Sequence, residues 1–102
     1  MDFQLYRACR QGNAGLAKQL LLDGAETTYR DNLGNTPLHW AAYQGDINCC
    51  KLLVEHGADI YIENNAGRNP LCLAQNGGHE ECVQPMLNAY QSYLKNSRTR
   101  QQ

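Results

Sequence analysis

Thr36-Pro37-Leu38-His39-Trp40-Ala41-Ala42, followed by Gly45, returns 33 residues later as Asn69-Pro70-Leu71-Cys72-Leu73-Ala74-Gln75 and Gly78. The register holds beyond the heptad, with Cys49 falling on Cys82 and Leu53 on Met86. Shifted backwards, Leu38, Ala41, Gly45, Leu53, Gly57 and Ala58 fall on Leu5, Ala8, Gly12, Leu20, Gly24 and Ala25. A fixed period of this size marks stacked supersecondary units, none of which buries its apolar face alone. Such a stack is not organised around a reaction centre. It repeats one long surface for contact.

The middle unit, about 31–63, is the most regular. Asn32-Leu33-Gly34-Asn35 is turn chemistry, because Gly34 takes positive φ and asparagines bond their own backbone. Thr36 offers its hydroxyl as a helix N-cap, and Pro37 stands at the first helical position, where its missing N–H costs nothing. A short helix through Tyr43 is expected, ended by Gly45, with Asp46 as cap of a second helix over about Ile47 to His56. That helix is expected to bury Ile47, Cys50, Leu52 and Leu53, with Cys49 beside them. Lys51 and Glu55 stay outside as an i,i+4 pair in the weaker orientation. Gly57 closes it, and Asp59-Ile60-Tyr61-Ile62 is expected to run extended into the next turn.

These residues carry a resemblance. Thr36-Pro37-Leu38-His39-Trp40-Ala41-Ala42, then Gly45-Asp46, Leu52-Leu53 and Gly57-Ala58-Asp59, resembles the ankyrin repeat. The resemblance covers three units, about 1–30, 31–63 and 64–95. It implies an all-α repeat, a solenoid of helix-turn-helix units joined by β-turn fingers and forming one domain over 1–95. A polar tail is expected over 96–102.

The end units depart from the pattern. The first opens directly on a helix, Asp2 to Arg10, with Gln4, Arg7 and Arg10 turned to water, as a terminal cap requires. The third places Pro85 where the second has Leu52. Proline removes one helical hydrogen bond there and is expected to kink or restart the helix. Beyond it Met86, Leu87, Tyr90, Tyr93 and Leu94 keep a 3–4 spacing, so a longer closing helix to about Lys95 is expected. The Tyr90/Tyr93/Leu94 stripe either packs back on the third unit or forms a partner surface or a weak self-association surface of an otherwise monomeric chain.

At 102 residues the chain buries roughly 60–65% of its unfolded surface. Nine basic and 10 acidic residues, spread along the chain, give no footprint for nucleic acid or anionic lipid. No apolar run approaches the ~20 residues of a membrane span, and the start does not read as a signal peptide. The five cysteines (Cys9, Cys49, Cys50, Cys72 and Cys82) are odd in number and fall mostly in apolar slots. That pattern reads as reduced and intracellular, in cytoplasm or nucleus. Stacked helices lie ~8–10 Å apart, beyond the ~7 Å Cα limit of a disulfide.

Chemical sites dissolve on inspection. Cys72, His79 and Cys82 lack the spacing of a four-ligand zinc site, and repeat slots explain all three. His39 has no nucleophile at a telling distance. The resemblance gives its imidazole the task of tying neighbouring turns together. His79-Glu80-Glu81-Cys82 lacks the second histidine of a zinc protease, and Asn76-Gly77-Gly78 is too short for a phosphate loop. No metal, cofactor or catalytic residue is expected. Trp40, on the helix of Leu38 and Ala41, is expected to wedge between units.

What the resemblance implies is a non-enzymatic module that binds a partner protein. The finger tips are then Arg30, Asn32, Leu33 and Asn35, with Glu63, Asn65, Ala66 and Arg68 on the next finger. The groove corners are Arg10 and Gln11, Tyr43 and Gln44, and Asn76. Tyr43, Leu33 and Arg68 are the expected energetic centres, tyrosine and arginine being common hot spots. A groove of three units offers ~600–800 Å² per side. The resemblance accommodates an adaptor or a regulatory subunit, including a stand-alone inhibitor like the small ankyrin kinase inhibitors. A thiol or metal sensor using Cys49-Cys50 and Cys72/Cys82, and a regulatory fragment of a larger enzyme, are the alternatives.

Overall fold

A computed structural model describes the backbone of residues 1–100 and the side chains of residues 1–96. Six helices follow in order: α1 (Asp2–Arg10), α2 (Ala14–Leu22), α3 (Pro37–Gln44), α4 (Ile47–Glu55), α5 (Pro70–Asn76) and α6 (Glu80–Arg100). They form three antiparallel pairs. The first helices α1, α3 and α5 pack side by side in one layer, and α2, α4 and α6 in a second layer behind them. The stack measures 37 × 27 × 23 Å.

Each start is written in the local sequence. Asn13, Asp46 and Asn69 accept the backbone N–H three residues on, at 3.1, 3.1 and 2.7 Å. Thr36 forms a reciprocal box with His39, whose Nδ1 accepts the Thr36 N–H at 3.0 Å. Gly45 ends α3 in the left-handed region, at φ 73°. That conformation is costly for any residue with a Cβ.

The core is a continuous column through the pairs. Leu5, Leu38, Leu53, Val54, Ile60 and Met86 are fully buried within it, as are Cys9, Cys49, Cys50 and Cys82. Ile47 and Leu52, expected inside, are only partly buried against that core, whereas Val54 is the deep residue of α4. At the α4 and α6 contact Cys82 and Met86 face inward, with Val83, Leu87, Ala89 and Tyr90 flanking them.

Three expectations change. Ile60 and Tyr61 sit in a turn rather than an extended run, because the Asp59 carboxylate takes the Tyr61 N–H at 2.8 Å. Helix α6 passes through Pro85 without a restart. Proline there leaves the Glu81 carbonyl without its helical donor, but Glu81 is exposed and water reaches it. The helix also continues beyond Lys95 to Arg100 instead of giving way to a tail at Asn96. No glycine or proline follows Pro85 to stop it. The last part of that expected tail, 101–102, lies outside the described residues.

The aromatic stripe of α6 folds back on the stack, but on the second unit. Tyr90 meets Tyr61 edge to face at 5.4 Å, and the Tyr93 hydroxyl lies against Gly57. Tyr93 and Leu94 keep about two-fifths of their surface exposed, at 40% and 43%.

Candidate functional site

The two complete fingers are built around one repeated side chain. Asp31 Oδ1 accepts the N–H groups of Leu33 and Asn35, both at 2.9 Å. In the same slot of the next finger, Asn64 Oδ1 accepts those of Ala66 and Arg68 at 2.9 and 3.0 Å. The second terminus of each side chain serves a different neighbour. Asp31 Oδ2 accepts the Tyr6 hydroxyl at 2.7 Å and the Trp40 indole N–H at 3.1 Å. Asn64 Nδ2 instead donates to Asn35 Oδ1 at 2.9 Å. Aspartate stands where two donors converge, and asparagine where an acceptor waits.

That convergence tunes both acids. Burial pushes the Asp31 carboxyl up, but hydrogen bonds from Tyr6, Asn35, Trp40 and Leu33 outweigh it and hold it below the usual carboxylate value. Tyr6 moves the other way, raised by burial and by its bond to a carboxylate.

The fingers are stitched together. Asn65 donates its N–H to the Leu33 carbonyl at 2.9 Å and its amide to the Asn32 carbonyl at 3.1 Å. Arg30 donates to the Glu63 carbonyl at 2.7 Å. The finger of Gly34 approaches so closely that a Cβ there would lie 2.6 Å from Asn65 Oδ1. Beneath them His39, almost fully buried, donates from Nε2 to the Arg68 carbonyl at 3.0 Å while Nδ1 accepts from Thr36. These bonds require the neutral Nε2–H tautomer. Burial and the Arg30 charge hold the imidazole neutral, against the pull of the Arg68 carbonyl.

Between the fingers and the first helices opens a cleft of about 260 Å³. Its floor is Trp40 and Tyr43 of α3 with Leu73 of α5, and its finger wall is Ala66 and Arg68. Asn35, Asn64 and His39 close it; both termini of Asn64 and both ring nitrogens of His39 are bonded, and Asn35 Oδ1 accepts from Asn64. Trp40 and Tyr43 meet edge to face at 6.1 Å, and the Arg10 guanidinium stacks on the indole at 4.5 Å. Two further grooves of about 320 Å³ each lie on the outer layer. Their walls include Lys51 and Glu55, and neither contains an aromatic ring.

Of the residues singled out from sequence, Tyr43, Asn35, Ala66 and Arg68 line the cleft, and Arg10 borders it through Trp40. Gln44 donates to the Arg10 carbonyl and so braces the corner. Arg30 and Asn65 are committed to finger-to-finger bonds rather than forming a free polar tip, and Asn32 joins them through its backbone carbonyl. Leu33 stands exposed at the tip, outside the cleft. Gln11 is exposed beyond α1, and Asn76 donates to Cys72 Sγ at 3.3 Å, away from the lining. Sequence reasoning missed Trp40, Leu73 and Asn64. Trp40 is half-buried in the groove, not wedged in the core, because its indole N–H reaches outward to Asp31. The repeat held the signal: Trp40 and Leu73 occupy one slot and both face the cleft.

The thiols offer little to a sensor. Cys9, Cys49, Cys50 and Cys82 are buried and Cys72 is half-buried. Contact with the Cys9 thiol and burial push Cys49 up, and burial does the same to Cys50 and Cys82. Thiols so placed are weak nucleophiles. Among the described residues no group of three or more His, Cys, Asp or Glu is placed to hold a metal ion.

A family model described as ankyrin repeats (3 copies) matches residues 5–97. The chain belongs to the ankyrin-repeat family, whose members are generally protein–protein interaction modules and typically not enzymes. Over 39 residues it is 49% identical to ankyrin repeat domain-containing protein SAT10 of Stachybotrys chartarum. That match covers 38% of this chain and 2% of the relative. Among the described residues no helix is long and apolar enough to cross a membrane.

Proposed function

We propose that the chain is a non-enzymatic adaptor or regulatory subunit that holds a partner protein across its concave side. The observation that carries this reading is the cleft. It combines exposed Tyr43, half-buried Trp40 and the guanidinium of Arg68 against walls held by the finger-to-finger and His39 hydrogen bonds. Aromatic and arginine side chains in that setting are the residues that dominate binding energies. A surface already rigid loses little entropy on association. At about 260 Å³ the cleft falls below the ~300–1,000 Å³ usual for small-molecule sites. It suits one side chain of a partner. The chain acts as a monomer in a reducing compartment, where its cysteines stay thiols.

The test is affinity capture from cell extract with Tyr43→Ala/Arg68→Glu as the comparison. Both side chains can change without touching the fold's bonds, since Arg68 contributes only its backbone to the finger. With thermal stability matched, a partner held by the wild type and lost by the variant supports the reading. Identical protein lists overturn it.

A further inference from the structure

We propose that the cleft takes an acidic segment of the partner polypeptide, seating one large apolar side chain on Trp40, Tyr43 and Leu73 and a carboxylate on Arg68. This deepens the reading above and rests on it. The apolar half follows from the floor, two aromatic rings and a leucine facing solvent beside Ala66. The charged half follows from which polar groups remain unused.

Asn64 has both side-chain termini engaged, and Asn35 gives its oxygen to Asn64, which leaves only a neutral amide donor on Asn35. His39 has both ring nitrogens engaged, as a neutral imidazole. Arg68 is thus the single ionic group among the described residues that line the cleft, and no hydrogen bond or ion pair with another described residue engages its guanidinium. A second cation, Arg10, lies across the Trp40 ring at 4.5 Å. The carboxylate behind that ring, Asp31, is silenced as an acceptor by four donors. Glu63, on the same finger, gives its carbonyl to Arg30 and lies outside the lining. The chain as a whole carries net charge −1, so this positive character is local and belongs to the groove. Charge complementarity of this kind selects partners and speeds their encounter.

The probe is a phage library of short random peptides selected on the full chain. Selected sequences are then synthesised with a fluorescent label and titrated by anisotropy against wild type, Tyr43→Ala, Arg68→Glu and the outer-face control Lys51→Glu. The expected sequences place Asp or Glu beside Leu, Phe or Trp. Binding falls about tenfold or more in Arg68→Glu, where attraction becomes repulsion, weakens with salt, and is unchanged in Lys51→Glu. Peptides without an acid that depend on Tyr43 but not on Arg68 overturn the acidic occupant and leave the groove in place. Peptides indifferent to both positions, or none recovered, overturn the occupant and the groove together.

Discussion

Replacing Asp31 by Asn keeps the side chain's shape and the two bonds that Oδ1 accepts from the finger backbone. The other terminus changes from an acceptor into an amide donor, facing the Tyr6 hydroxyl and the Trp40 indole N–H at 2.7 and 3.1 Å. The hydroxyl can rotate and accept; the indole can only donate. Hydrogen bonds to a charged group contribute about 1.5–3 kcal/mol each, and Asp31 is only half-buried, so the lower end applies. Losing one bond outright and the charge assistance of the other gives an expected destabilisation of about 2 kcal/mol. With a urea slope of roughly 1–3 kcal/mol/M, the unfolding midpoint drops by about 1 M while the slope stays unchanged. The reverse exchange, Asn64→Asp, is nearly neutral, below about 0.5 kcal/mol, because Asn35 turns its amide to donate in turn. Urea titrations followed by far-UV circular dichroism measure both. The Tyr6→Phe single variant and its combination with Asp31→Asn complete a cycle whose coupling is expected at about 1 kcal/mol. Equal costs at the two fingers, or additive Tyr6 and Asp31 effects, refute the assignment of Asp31 as the acceptor that joins the first and second units.

His39 makes stability pH-dependent on the acid side of neutrality. Its folded value lies below 6.5, so the unfolded chain takes the proton first; stability is complete above 6.5 and declines as pH falls from there through the folded value. Thermal unfolding across that range is expected to show the decline in the wild type and not in His39→Gln. Gly34→Ala is expected to cost about 1–3 kcal/mol, because φ is +78° and the added methyl meets the backbone of Asn65. Chemical denaturation with Asn65→Ala as a partner mutation separates the contact from the backbone strain. Titration of the native chain with a thiol reagent is expected to modify Cys72 alone, the four buried cysteines reacting only in denaturant. Rapid modification of Cys49 or Cys50 in the native state would revive a sensor function.

The fold was open to sequence reading because each unit announces its own ends. Thr36-Pro37 starts a helix, Gly45 stops it and Asp46 starts the next, and all three do so through bonds local in the chain. The run from Asn96 to Arg100 shows the limit of that logic: polar composition suggested a tail, yet without a stop signal the helix goes on. Trp40 shows a different limit. Its slot lies beside the core face of α3, and sequence spacing alone does not decide whether a ring there turns in or out. The decision comes from Asp31 and Arg10, which hold the indole on the outside from one finger and from α1.

The candidate contact residues divide by what they already hold. Arg30, Asn35 and Asn65 look like part of a recognition tip in sequence, but in the folded chain the Arg30 guanidinium, the Asn35 side-chain oxygen and the Asn65 amide join one finger to the next. A residue so committed would have to break a protein bond to make a partner bond, and the exchange yields little net energy. Tyr43, Trp40 and Arg68 are under no such constraint on their exposed faces. Under the proposed function the bonded asparagines are expected to hold the groove's shape, and two rings and one guanidinium are expected to carry the binding energy. Truncating Asn65 should then loosen the finger and weaken every occupant of the cleft alike, whereas changing Arg68 should discriminate between them.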